Sequence, residues 1–125
     1  MLSSIEALGK QIEHAWADTR SITITPKQPI ANVVVAGMGG SGLGADLIKH
    51  LYLESLSVPF DYVHGYALPA YVDQSTLVIL SSYSGNTEEV MACAEMAEEK
   101  QATIVCIAAG GALTKLAQEK HWPIY

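Results

Sequence analysis

Cysteine is scarce in this sequence: Cys93 and Cys106 are the only two in 125 residues. Neither stands in a C-x-x-C or Cys/His spacing, which excludes a zinc ribbon or a disulfide scaffold and leaves two reduced, packed thiols. Positive charge is scarce too. Lys and Arg total 7 against 13 Asp and Glu, the formal net charge is -6, and Arg20 is the single arginine. That balance argues against nucleic acid or an anionic membrane as the partner. It leaves room for a phosphorylated ligand, because backbone amides at a helix N-terminus hold a phosphate without any basic residue. No apolar run approaches the length of a membrane span. The opening MLSSIEALGKQIEHAW has no basic stretch followed by an apolar one, so no leader is expected and the location is read as cytoplasmic. The histidines His14, His50, His64 and His121 offer no pair at metal-ligand spacing, so neither a metal nor another cofactor is expected. No internal repeat or low-complexity tract is visible.

Half of the chain is apolar, enough for one domain with its own core. Ile5, Leu8, Ile12, Ala15 and Trp16 recur at helical spacing over residues 3–18, which predicts an amphipathic helix. Residues 19–31 carry Pro26 and Pro29 and read as a connection. Short β-branched runs then alternate with helical patterns. Strands are expected at 32–36, 58–63, 76–80 and 103–108, with the start of a fifth at 123–125. Helices are expected at 46–53, 88–100 and about 112–120, the second opening on an Asn86–Glu89 capping box. The alternation predicts an α/β fold: a three-layer, doubly wound parallel sheet behind an N-terminal helix. The expected domain spans 32–125, after a helix and connection over 1–31. A 2-1-3-4-5 strand order places the switch point between strands one and three.

Two loops carry the chemistry. Residues 37–44, within GMGGSGLGAD, hold five glycines and Ser41 between a strand and a helix. Glycines allow a close approach of backbone to ligand, and the amides of the next helix point at what sits there. Residues 81–87, within SSYSGNTEE, set Ser82, Ser84 and Thr87 around Gly85 at the mouth of a second helix. Hydroxyls, exposed amides and a helix dipole satisfy phosphate oxygens without a cation. A competing reading comes from Gly37, Gly39 and Gly42, which fit G-x-G-x-x-G, with Asp61 near the end of the second strand. That would be a dinucleotide site, but it gives the hydroxyl-rich second loop no task.

The glycine–serine loop followed by S-x-S-G-x-T resembles the SIS (sugar isomerase) fold of phosphosugar isomerases, a flavodoxin-like arrangement. GMGGSGLGAD, YALPAYVDQSTLVILSSYSGNTEEV and Gly110-Gly111 together resemble the bifunctional phosphoglucose/phosphomannose isomerase family. The resemblance runs from about residue 33 to 111. It implies an enzyme with two SIS domains that interconverts glucose 6-phosphate or mannose 6-phosphate with fructose 6-phosphate through a cis-enediol, as a homodimer and without metal. It implies phosphate contacts from Ser82, Ser84 and Thr87, a loop shaped by Tyr83 and Gly85, and sugar contacts from Gly39, Gly40 and Ser41. The chain departs from the family at Ala108-Ala109, where relatives often carry a Thr-Ser pair.

The family's glutamate base, ring-opening histidines and arginine fall in sequence after Tyr125, so no catalytic residue is expected in this chain. Glu88, Glu89 and Asp46 read as first-turn acids that complement helix dipoles. His64 alone stands near the carboxyl end of a strand. The expectation is a phosphosugar-binding piece of a longer isomerase, weak or inactive alone, its partners a phosphorylated hexose and either a second SIS domain or a second copy. The alternatives are a phosphosugar-sensing module without catalysis and, ranked lower, the dinucleotide-binding domain.

Overall fold

In the computed structural model, which describes residues 5–125, four β-branched runs pair in parallel. They are β1 (Asn32–Gly37), β2 (Phe60–Val63), β3 (Thr76–Ser81) and β4 (Thr103–Ile107), in the order β2-β1-β3-β4. Among the described residues, the helices α1 (Leu8–Thr19), α2 (Gly40–Leu51), α3 (Glu88–Glu99) and α4 (Gly111–Lys120) accompany them. The expected α/β class and the order of the first four strands hold. In place of a fifth strand there is a single parallel bridge from Cys106 to Ile124, flanked by Tyr125 N–H donating to the Cys106 carbonyl at 2.9 Å.

Two expectations need correction. The second helix starts at Gly40, six residues before the expected Asp46. Glycines are poor helix formers, which favours a loop for the first motif, but most of them form the helix's first turns. The Asn86–Glu89 capping box does not form: Thr87 is the N-cap of α3, with no side-chain cap bond. Asn86 serves the neighbouring loop instead, as described below. Residues 3 and 4 of the expected first helix lie outside the described residues.

One face of the sheet is closed. Val34, Val78, Leu80, Ile104 and Cys106 point from the strands into a cluster with Val90, Cys93, Ala94 and Ala97 of α3 and Leu113 and Ala117 of α4. Both cysteines are free and buried there. Burial pushes the Cys106 thiol up to about 12 and raises Cys93 as well, so both stay protonated and inert. The segment between β2 and β3 plugs the same cluster with Leu68 and Val72. Its outer side is strapped to β2: Tyr71 Oη donates to Asp61 Oδ2, and Lys49 Nζ stands 3.3 Å from Asp61 Oδ1. The Tyr71 bond, then Lys49, holds the Asp61 carboxyl below its ordinary value. Asp61 is thus already engaged at mid-strand, away from the ribose-binding position that a dinucleotide fold requires.

The other face is half covered. Helix α2 packs on it, against β1 and β2. Val35, Ile79 and Ile107 face an apolar cavity of about 940 Å3 beside Ile48, Phe60 and Tyr125. Helix α1 buries no residue at all, and its apolar stripe of Leu8, Ile12 and Trp16 is exposed.

Candidate phosphate-binding site

The C-terminal ends of β1 and β3 are adjacent, with Gly37 paired to Ser81. The two motifs therefore leave the sheet side by side, at the switch point expected for a ligand crevice. They are bonded to each other. Ser81 Oγ donates to the Ser41 carbonyl at 2.9 Å, and Tyr83 N–H reaches Ser41 Oγ at 3.3 Å. Ser81 was not singled out in the sequence; its position at the strand end was the available signal.

On the first loop, Gly39 and Gly40 are exposed at the start of α2 and Ser41 is half-buried. The Ser41 and Gly42 amides donate to the Met38 and Gly39 carbonyls at 3.1 Å, which leaves the Gly40 N–H, the first of the helix, available to an anion. Glycine is required at Gly42, where a Cβ would fall 1.8 Å from the Tyr62 hydroxyl. That close approach lets Tyr62 Oη donate to the Gly37 carbonyl at 3.0 Å, locking the turn.

On the second loop the three hydroxyls have different tasks. Ser82 is buried, with its Oγ 3.1 Å from the Gly85 N–H and 2.8 Å from Thr87 Oγ1. It accepts from the amide and shares one proton with Thr87, so it braces the loop from within. When Ser82 donates to Thr87, the Thr87 proton is left free for another acceptor. Ser84 is exposed; its Oγ accepts from Asn86 N–H at 3.2 Å and keeps its own proton free. Tyr83 stands between them with its side chain 81% exposed.

A third strip, residues 108–112, holds the second loop in place. Ala109 N–H donates to the Tyr83 carbonyl at 3.0 Å and Leu113 N–H to the Gly85 carbonyl at 2.8 Å. Asn86 Oδ1 accepts from Ala112 N–H at 2.9 Å, and Asn86 Nδ2 donates to the Ser84 carbonyl at 3.2 Å. Gly85 sits at φ +68, and a Cβ there would fall 1.8 Å from the Gly110 carbonyl. This bracing by Asn86 was missed in the sequence, because a side chain that bonds 26 residues away leaves no local pattern.

Glu88 and Glu89 occupy the first turn of α3. Tyr66 Oη donates to Glu88 Oε2 at 3.3 Å, and the Glu89 charge, followed by burial and Glu88, raises the Tyr66 phenol. The pair thus complements the helix dipole and is tied toward the 64–71 segment. His64 is exposed and packs by its ring against Tyr62, with centroids 5.5 Å apart. It follows directly on the carboxyl end of β2 and is not among the residues lining the cavity that Ser41 and Tyr83 share.

The SIS domain profile matches residues 21–125. A bifunctional phosphoglucose/phosphomannose isomerase of Caldicellulosiruptor bescii is 40% identical over 125 residues, covering 99% of this chain and 37% of that protein. A crystal structure of a candidate phosphosugar isomerase from Salmonella typhimurium LT2 superposes with a TM-score of 0.66 at 28% identity, over 78% of this chain and 30% of that one. A tagatose-6-phosphate ketose/aldose isomerase from Escherichia coli shares the fold at a TM-score of 0.62 and 20% identity, over 99% of this chain and 34% of that one. The chain thus spans about a third of the length of these proteins.

Proposed function

The chain belongs to the SIS domain family, and on that premise we propose that it is the phosphosugar-holding SIS domain of an aldose–ketose isomerase. The parent enzyme interconverts glucose 6-phosphate or mannose 6-phosphate with fructose 6-phosphate, in the cytoplasm, with two SIS domains per chain and as a homodimer. What supports this most is the meeting of the two loops. Ser41 is bonded to the second loop through Ser81 and Tyr83, and Ser84 and Thr87 lie on that same loop at the start of α3, braced by Ser82. That arrangement neutralises a phosphate by hydrogen bonds and helix dipoles, with no cation needed.

The phosphate anchors at Ser84, Thr87 and the amides of α3, on a loop held by Ser82 and Gly85. The sugar end lies toward Gly39, Gly40 and Ser41, whose backbone leaves space for it. Moving a proton between C1 and C2 needs a carboxylate or histidine at those carbons. Glu88 and Glu89 stand in the first turn of α3, where they serve the helix dipole. As the family resemblance implies, the base and the ring-opening acid come from polypeptide outside these 125 residues, in the same chain or in a partner copy.

The test is an isothermal titration of the purified chain with fructose 6-phosphate in phosphate-free buffer, with NAD in parallel. Saturable sugar-phosphate binding that weakens about tenfold or more in a Ser84→Ala, Thr87→Ala double variant supports the assignment, since each lost charge-assisted bond is worth about 1.5–3 kcal/mol. Binding of NAD alone, or sugar-phosphate affinity unchanged in the variant, contradicts it.

A further inference from the structure

We infer that Tyr83 reads the sugar: its ring is the wall against which the carbon skeleton of a bound hexose phosphate lies. The inference rests on the phosphosugar reading and adds a residue that discriminates hexose from bare phosphate. Tyr83 is the most exposed large apolar side chain among the described residues, at 81%, yet its backbone is fixed on both sides. Its N–H is 3.3 Å from Ser41 Oγ, and its carbonyl accepts from Ala109 N–H at 3.0 Å. An aromatic ring on a braced backbone loses little conformational freedom when a ligand covers it, so its apolar area is turned into affinity with little entropic loss.

The ring's neighbours fix what it would meet. Tyr83 lines the apolar cavity together with Met38, Gly40, Ser41, Ala108 and Ala109. It stands between Ser82 and Ser84, one residue from a hydroxyl that faces the phosphate. Its own hydroxyl makes no hydrogen bond within the protein among the described residues, so the ring is not held for structure. A hexose chain is amphipathic, with C–H groups between its hydroxyls. Anchored by its phosphate at Ser84 and Thr87, it meets an aromatic face and a wall of alanines on one side. On the other it meets the Ser41 hydroxyl and the amides of Gly39 and Gly40. Ala108-Ala109 fit the same picture, since they make that wall apolar.

The experiment is a titration of the chain and its Tyr83→Ala and Tyr83→Phe variants with two probes, fructose 6-phosphate and inorganic phosphate. Tyr83→Ala is expected to raise the Kd for fructose 6-phosphate about three- to tenfold, the range of an aromatic contact, and to leave that for inorganic phosphate unchanged. Tyr83→Phe is expected to restore the wild-type Kd for the sugar. Unchanged sugar affinity in Tyr83→Ala overturns the inference. So does an equal loss for both probes, which would mean the ring only stiffens the loop. A Tyr83→Phe variant as weak as Tyr83→Ala overturns it as well, by assigning the contact to the hydroxyl. A wild-type chain that binds inorganic phosphate but not fructose 6-phosphate also overturns it, while one that binds neither sinks the underlying phosphosugar reading first.

Discussion

The two faces of the sheet are built from the same kind of residue and end up in different states. On the closed face, Val34, Val78, Leu80 and Cys106 have no exposure at all beneath α3 and α4. On the other, Ile107 is 42% exposed and the α2 residue Ile48 is 44% exposed around an open groove. The difference shows where the rigidity of the site comes from. Gly85, Asn86 and the start of α3 are fixed by Leu113 and Ala112 of α4, elements of the finished half. The second loop therefore does not depend on what covers the open face.

Leu80→Ala against Ile79→Ala is the sharpest way to break that comparison, since the two are neighbours on β3 pointing to opposite faces. The first is expected to cost about 2–5 kcal/mol in denaturant unfolding and the second about 1 kcal/mol. Equal losses would mean that the open face is in truth packed. Gly85→Ala comes next. Its Cβ clashes with the Gly110 carbonyl and its φ is left-handed, so about 1–3 kcal/mol of stability is expected to go. Phosphosugar binding is expected to vanish with it, while far-ultraviolet circular dichroism stays that of the wild type. A Gly85→Ala chain that binds normally would detach the site from the closed half.

The smallest effect concerns the strap on β2. The Asp61 carboxyl has a depressed pKa in the folded chain, so its contribution is present above the unfolded value and is lost as pH falls through the folded one. Tyr71→Phe removes the largest cause. Carboxyl-detected NMR titration is expected to show Asp61 moving up toward the ordinary carboxylate range, with little change in stability because the pair is substantially exposed. No movement would leave Lys49 as the sole cause.

The strand pattern was readable because parallel strands buried beneath helices are continuous apolar runs. The residues 32–36, 76–80 and 103–108 all became strands within a residue or so. The two points where a strand gives way to a helix at the sheet's carboxyl edge were readable because glycine and hydroxyl residues cluster there. Local propensity failed at Gly40–Leu51, where tertiary packing of Gly42 on Tyr62 outweighed the glycines' reluctance to form helix. It failed also at Asn86, whose capping signature was overridden by a bond to Ala112. The division of labour between Ser82 and Ser84 was not legible either. Both are serines two residues apart, and only burial distinguishes the brace from the hydroxyl that faces solvent. The exposed stripe on α1 was legible as amphipathic, but periodicity does not say what the apolar side meets.

The most direct test of phosphosugar binding at these loops is an amide chemical-shift titration of the isotopically labelled chain with fructose 6-phosphate. The expected result is saturable movement centred on Gly39, Gly40, Ser41, Ala108, Ala109 and the amides from Tyr83 to Glu89, with residues of the closed core such as Val78 and Ala94 unmoved. Shifts centred on the groove or on β2 around Asp61, with the two loops silent, would contradict the assignment.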